Sequence, residues 1–161
     1  MTALLGDADF AFLDVLRRTH YPAERNRVPA HLTLFAQLPP SLEPELDRRL
    51  AALGSFPAPR ARLAGVMDLG SGTALRVESD ELEALREQLA ESFHGMLTPQ
   101  DRAPWNAHVT IQNKVEPREA RRLQARLRAT FEPRSLALRG LTSWRYQGGH
   151  WDRIKNYVFR G

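Results

Sequence analysis

Two stretches of the chain carry the same short grammar: His31-Leu32-Thr33-Leu34 and His108-Val109-Thr110-Ile111. Read as strands they alternate faces, so His31 and Thr33 share one face while Leu32 and Leu34 take the other. His108 and Thr110 repeat the arrangement, backed by Val109 and Ile111. Imidazole and hydroxyl together suit chemistry at a phosphodiester. Opening such a bond in line needs a base on the entering oxygen and an acid on the departing one. The unperturbed pKa of imidazole lets one copy be neutral and the other charged near neutral pH. The threonine hydroxyls can donate to the non-bridging oxygens, where charge accumulates. A single His-x-Thr would equally suit a core imidazole holding a backbone carbonyl. Two copies, each with apolar flanks, are hard to obtain from average residue usage.

The surrounding elements repeat as well. Apolar periodicity predicts four helices, over about 7–19, 41–53, 80–93 and 117–131, each with one apolar and one charged face. Asp7 or Asp9 is expected to cap the first, Ser41 the second, and Pro117 to open the fourth. Strands are expected over 2–5, 30–35, 60–68, 73–78, 107–113, 135–146 and 156–159. The order is then β-α-β-α-β followed by β-α-β-α-β-β. Thr2-Ala3-Leu4-Leu5 answers Thr73-Ala74-Leu75-Arg76, and each leads through an acid into a helix. Each helix runs into a proline-containing loop (Pro22 and Pro29; Pro99 and Pro104) that delivers a strand beginning Ala-His. The histidines lie 77 residues apart, a longer step than in solenoid repeats. One domain over 1–161, built from a repeat of about 1–70 and 71–161, is expected to form two pseudo-symmetric lobes. Gly70-Ser71-Gly72 is the hinge or hairpin turn between them.

Composition narrows the setting. At 161 residues one domain, or two small lobes sharing a core, is the natural count. With no cysteine, disulfides and thiolate metal sites are excluded. An acid at Asp7 comes too soon for a secretory leader, and no stretch approaches the roughly 18 apolar residues of a membrane span. A soluble cytoplasmic protein with no membrane partner is the expectation. Residues 1–80 carry 9 Lys+Arg against 10 Asp+Glu, whereas residues 81–161 carry 14 against 9. A basic, arginine-rich half suits an anionic partner, although arginine on solvated helix faces would give the same count.

Pro29-Ala30-His31-Leu32-Thr33-Leu34-Phe35 and Trp105-Asn106-Ala107-His108-Val109-Thr110-Ile111-Gln112, set in a duplicated αβ frame, resemble the 2H phosphoesterase superfamily, particularly its bacterial 2′–5′ RNA ligase-like branch. The resemblance covers essentially the whole chain. It implies a bilobal α+β fold, with antiparallel-rich sheets facing a central cleft and helices outside. It implies catalysis without a metal or other cofactor on 2′,3′-cyclic phosphate or 2′–5′ linkages of RNA or nucleotides, with RNA ligation as a possible reverse activity. By that resemblance His31 and His108 are the acid–base pair, and Thr33 and Thr110 hold the phosphate.

Further candidates come from the residues themselves. Gln112 and Lys114 share the parity of His108 and could extend a phosphate-binding face. The segment from Trp144 to Trp151 mixes aromatics with basic residues around Gly148-Gly149, so Trp144 and Tyr146 could stack bases, or simply pack on a sheet as a hairpin. Arg25, Asn26 and Arg27 precede the first motif and could line the cleft, while His150 is a lone loop histidine. Two other function classes stay open. One is a non-catalytic RNA-binding module on the same frame. The other is a two-histidine metal hydrolase, for which no His-x-x-x-His spacing is present. Oligomeric state is left open, with a monomer favoured.

Overall fold

In a computed structural model describing residues 1–160, the expected alternation resolves into eight strands and five α-helices. Gly161, the last residue of the expected domain, lies outside the described residues. The strands are β1 (Thr2–Leu5), β2 (Leu32–Thr33), β3 (Ala61–Asp68), β4 (Thr73–Glu78), β5 (His108–Gln112), β6 (Arg134–Leu136), β7 (Leu138–Gln147) and β8 (His150–Val158). The helices are α1 (Asp7–His20), α2 (Glu43–Leu53), α3 (Asp80–Ser92), α4 (Pro99–Arg102) and α5 (Pro117–Thr130). All strands join one sheet in the order β6-β3-β4-β5-β2-β1-β7-β8, and every pairing is antiparallel.

The pseudo-symmetry axis runs between β5 and β2. Reading outward, β5-β4-β3-β6 mirrors β2-β1-β7-β8, and the unit β1-α1-β2 corresponds to β4-α3-β5. These spatial halves differ from the halves of the sequence. β3 lies with β4, because Gly70 and its neighbours close a tight hairpin, and β7 and β8 return from the C-terminal part to flank β1. In that turn Gly70 has φ +77° and its N–H donates to Asp68 Oδ1 at 2.8 Å, so the glycine serves a hairpin rather than a hinge.

One expected strand, 135–146, is two. Ala137 breaks the ladder by donating its N–H to the Asp9 carboxylate (2.7 Å) and accepting from Gly6 N–H (2.8 Å). β6 therefore pairs with β3 at one edge while β7 pairs with β1, six strand positions away. In a flat sheet those positions would stand roughly 29 Å apart, yet a single residue links them, which spans about 7 Å. The sheet must curl back on itself. β8 likewise starts at His150 rather than 156, making β7–β8 a long hairpin with Gly148 (φ +56°) and Gly149 (φ +126°) at its tip.

The helix stripes match their expected faces, with Leu13, Leu46, Leu50, Leu82, Leu89 and Leu123 buried. The caps differ. α1 starts after Gly6, and Asp9 is drawn away to Ala137 and Arg134. α2 begins only after a 3-10 turn over Pro40–Leu42 that absorbs Ser41. α3 is capped by Ser79, whose hydroxyl accepts from Leu82 N–H at 3.1 Å.

Candidate active site

β2 has only two ladder residues because its flanking backbone groups are bonded elsewhere. Ala30 N–H donates to Asp14 Oδ1 at 3.0 Å, and Leu34 and Phe35 N–H both donate to Met1 O at 3.0 and 3.3 Å. Thr33 O accepts from Trp105 Nε1 at 3.0 Å, and Leu34 O from Arg86 Nε at 2.9 Å. Ala36 and Gln37 N–H donate to the Asp101 carboxylate at 2.8 and 3.0 Å. Side chains frame this segment where neighbouring strands do not, and nearly every backbone polar group finds a partner.

The single β2–β5 pair, Leu32 with Val109, sets the register of the motifs. Counting outward in an antiparallel ladder, His31 falls opposite Thr110 and Thr33 opposite His108. Directly opposed side chains have Cβ atoms about 4.5–5.5 Å apart, so the two imidazoles occupy one diagonal of a four-residue patch. Leu32, Leu34, Val109 and Ile111 are fully buried behind it. His31, Thr33 and His108 line a cleft of about 800 Å³. Thr110 keeps the parity of His108 and is half-buried, but it lies outside the cleft lining.

Both imidazoles are oriented alike. His31 Nδ1 lies 2.8 Å from Pro29 O, and His108 Nδ1 lies 2.6 Å from Asn106 O, in each case the carbonyl two residues earlier. A carbonyl only accepts, so Nδ1 carries the hydrogen and Nε2 is the nitrogen free for chemistry. Burial lowers the His31 pKa below the ordinary imidazole value. The Pro29 carbonyl opposes that shift, while the charge of Arg17 and the nearby His108 reinforce it. That environment favours the neutral form of His31.

Two buried arginines brace the motifs from the helices of opposite units. Arg17 of α1 donates to Thr110 O (2.8 Å), and also to Asn26 Oδ1 and Val28 O. Arg86 of α3 donates to Leu34 O and, through its second nitrogen, to Asp101 O at 2.7 Å. Each guanidinium also stacks on an aromatic ring, Arg17 on Tyr21 at 4.1 Å and Arg86 on Phe35 at 4.9 Å. Neither arginine stands among the residues expected from the sequence, although a signal was present. Arg17 sits four residues after buried Leu13, and Arg86 four after buried Leu82, so each interrupts an apolar stripe with charge.

The other candidates disperse. Gln112 is buried beneath α5, where Oε1 accepts from Thr73 Oγ1 and Nε2 donates to Glu119, both at 3.4 Å. The cause is a bulge: Thr73 pairs with Gln112 but Ala74 with Thr110, which flips the parity assumed from His108. Lys114 is exposed with φ +59° on a separate polar hollow beside His20, Arg25 and Glu119. Arg27 is exposed and outside the cleft lining, whereas its neighbour Asn26 serves Arg17. Trp144 lines the cleft and donates Nε1 to Thr2 Oγ1 at 2.9 Å. Tyr146 is exposed outside the lining and packs against Trp151, with ring centroids 5.1 Å apart. His150 is exposed on β8, 3.4 Å from Asp152. Among the described residues no three His, Asp or Glu side chains gather as a metal site, and no helix is long and apolar enough to cross a membrane.

The fold has a solved counterpart. The crystal structure of TT0787 of Thermus thermophilus superimposes with a TM-score of 0.61 over 99% of this chain and 96% of that one, at 21% sequence identity. No curated protein matches the sequence. The family model of the 2′-5′ RNA ligase superfamily matches residues 5–150, a span that contains both His-x-Thr strands and both bracing arginines, and the chain belongs to that superfamily.

Proposed function

We propose that the protein is a metal-independent phosphodiesterase acting on 2′,3′-cyclic phosphate or 2′–5′ linkages of RNA or nucleotides. Superfamily membership supports a 2H phosphoesterase-like function in general terms. The observation that carries the finer reading is the matched pair of imidazoles, each with Nδ1 held by the carbonyl two residues back and Nε2 left for one cleft. Neutral His31 takes a proton from the attacking water as the new P–O bond forms. Protonated His108 gives its proton to the departing ribose oxygen as that P–O bond breaks, so one proton enters the pair and one leaves. Thr33, which lines the cleft, donates to a non-bridging oxygen. With a ribose hydroxyl in place of water the same roles run toward ligation.

Product analysis tests this. The protein, incubated with nucleoside 2′,3′-cyclic phosphates and a 2′–5′ dinucleotide in excess chelator, is expected to yield a monophosphate at a single ribose position from the cyclic substrate. Absence of turnover on both substrates, or turnover abolished by the chelator, would overturn the proposal. Binding of RNA without turnover would favour the non-catalytic module instead.

A further inference from the structure

All three tryptophans of the chain, Trp105, Trp144 and Trp151, line the cleft that holds the histidines. Two are committed: Trp105 Nε1 donates to Thr33 O and Trp144 Nε1 to Thr2 Oγ1. Trp151 is not. It is 42% exposed and makes no side-chain hydrogen bond, and its packing partner Tyr146 is 58% exposed. An indole left this open on the wall of a cleft offers an aromatic face to a flat ligand.

Its neighbours on β8 are equally uncommitted. Arg153 lines the cleft and has no ion-pair partner among the described residues. Other exposed arginines nearby are paired, such as Arg145 with Glu43 and Arg139 with Asp7. A register shift in β7–β8 pairs Trp144 with Arg153 but Ser143 with Lys155. The extra residue, Ile154, returns Asn156 to the same face as Trp151 and Arg153, and Asn156 lines the cleft too. Its Oδ1 accepts from Thr142 Oγ1 at 2.9 Å, which leaves the amide N–H groups as free donors.

We propose that the β7–β8 hairpin is a nucleotide subsite of the same cleft, with Trp151 stacking a nucleobase, Asn156 donating to an acceptor on its edge, and Arg153 holding a second phosphate. This rests on the phosphodiesterase reading and deepens it. The substrate is a base-bearing RNA end with at least one further phosphate, rather than a small sugar diester.

Calorimetric binding tests it without requiring turnover. Wild type is titrated with a nucleoside 3′-monophosphate, with ribose 3-phosphate lacking a base, and with a dinucleotide 3′-phosphate. Trp151→Ala is expected to weaken the nucleotide by about 5- to 150-fold, the range spanned by base–aromatic stacking, and to leave ribose phosphate unchanged. Trp151→Phe keeps most of the affinity. Arg153→Gln weakens the dinucleotide while sparing the mononucleotide. Equal affinities of wild type and Trp151→Ala for the nucleotide, or equal losses for base-bearing and base-free ligands, overturn the subsite. Failure of the phosphodiesterase reading shows separately, as selective nucleotide binding without turnover. All three variants change exposed side chains, so circular dichroism should match wild type.

Discussion

His31→Ala and His108→Ala are each expected to lower turnover by about 10²–10⁴-fold, the contribution of a positioned acid or base. Both rings are half-buried at the cleft, and each makes one side-chain hydrogen bond, to an accessible carbonyl that water can satisfy once the ring is gone. Folding should therefore be little affected. Because the two act in one displacement, the double variant should lose far less than the product of the single losses. Steady-state kinetics on a 2′,3′-cyclic nucleotide, with thermal unfolding as a control, decides the matter. Wild-type rates in either single variant would remove that histidine from the mechanism. Fully multiplicative losses would mean the two do not share a step.

The arginine braces should matter almost as much, acting through the backbone carbonyls they hold. Arg86→Met strands Leu34 O and Asp101 O, and Arg17→Met strands Thr110 O and Val28 O. The buried carbonyls Leu34 O and Asp101 O each cost about 1–3 kcal/mol when left unpaired, and the partly buried Thr110 O and Val28 O cost less. A motif strand displaced by about 1 Å costs of order 10²-fold in rate. The loss should fall on kcat more than on KM. Lysine keeps the charge but not the fork, so Arg86→Lys should recover little. Arg17 adds a readout that a merely structural role would not move. Its charge contributes to lowering the His31 pKa, so Arg17→Met should raise the acid limb of the pH profile, whereas Arg17→Lys should hold it down. Unchanged kcat in both methionine variants, measured well below their unfolding temperatures, would refute positioning by the braces.

Much of this architecture was legible in the residues, and the exceptions share a physical cause. The duplicated β-α-β unit follows from two local signals, alternation and apolar stripes, and β1, β4, α1, α3 and α5 fall where those signals place them. The parity of His31 with Thr33 and of His108 with Thr110 is also local, a consequence of the two-residue strand period. What failed was set by contacts distant in sequence. Ala137 breaks a continuous strand-like run because Asp9, 128 residues earlier, takes its N–H. Gln112 leaves the face of His108 because a bulge against β4 inserts one residue, and no property of Gln112 announces it. Pairing of β3 with β4, and of β7 with β1, exchanges strands between the sequence halves, which periodicity within each half does not reveal. Arg17 and Arg86 were visible as charge within an apolar stripe, but their targets, Thr110 O and Leu34 O, are properties of the fold.

The claim that two imidazoles of opposite protonation share one phosphate is tested most directly by the pH dependence of kcat/KM on a 2′,3′-cyclic nucleotide, from about pH 4.5 to 9 at fixed ionic strength. The active species is the singly protonated pair, so the profile should be a bell, with apparent pKa values that belong to the pair. Burial favours the neutral form of His31, which moves the acid limb below the ordinary imidazole pKa of about 6.5. Activity should therefore persist as pH falls through that value and drop only below it. The alkaline limb should appear as the second proton of the pair is lost, and it should vanish in His108→Ala. A wild-type profile that rises with pH and never turns down would mean that a single base does the work, and would contradict the paired mechanism.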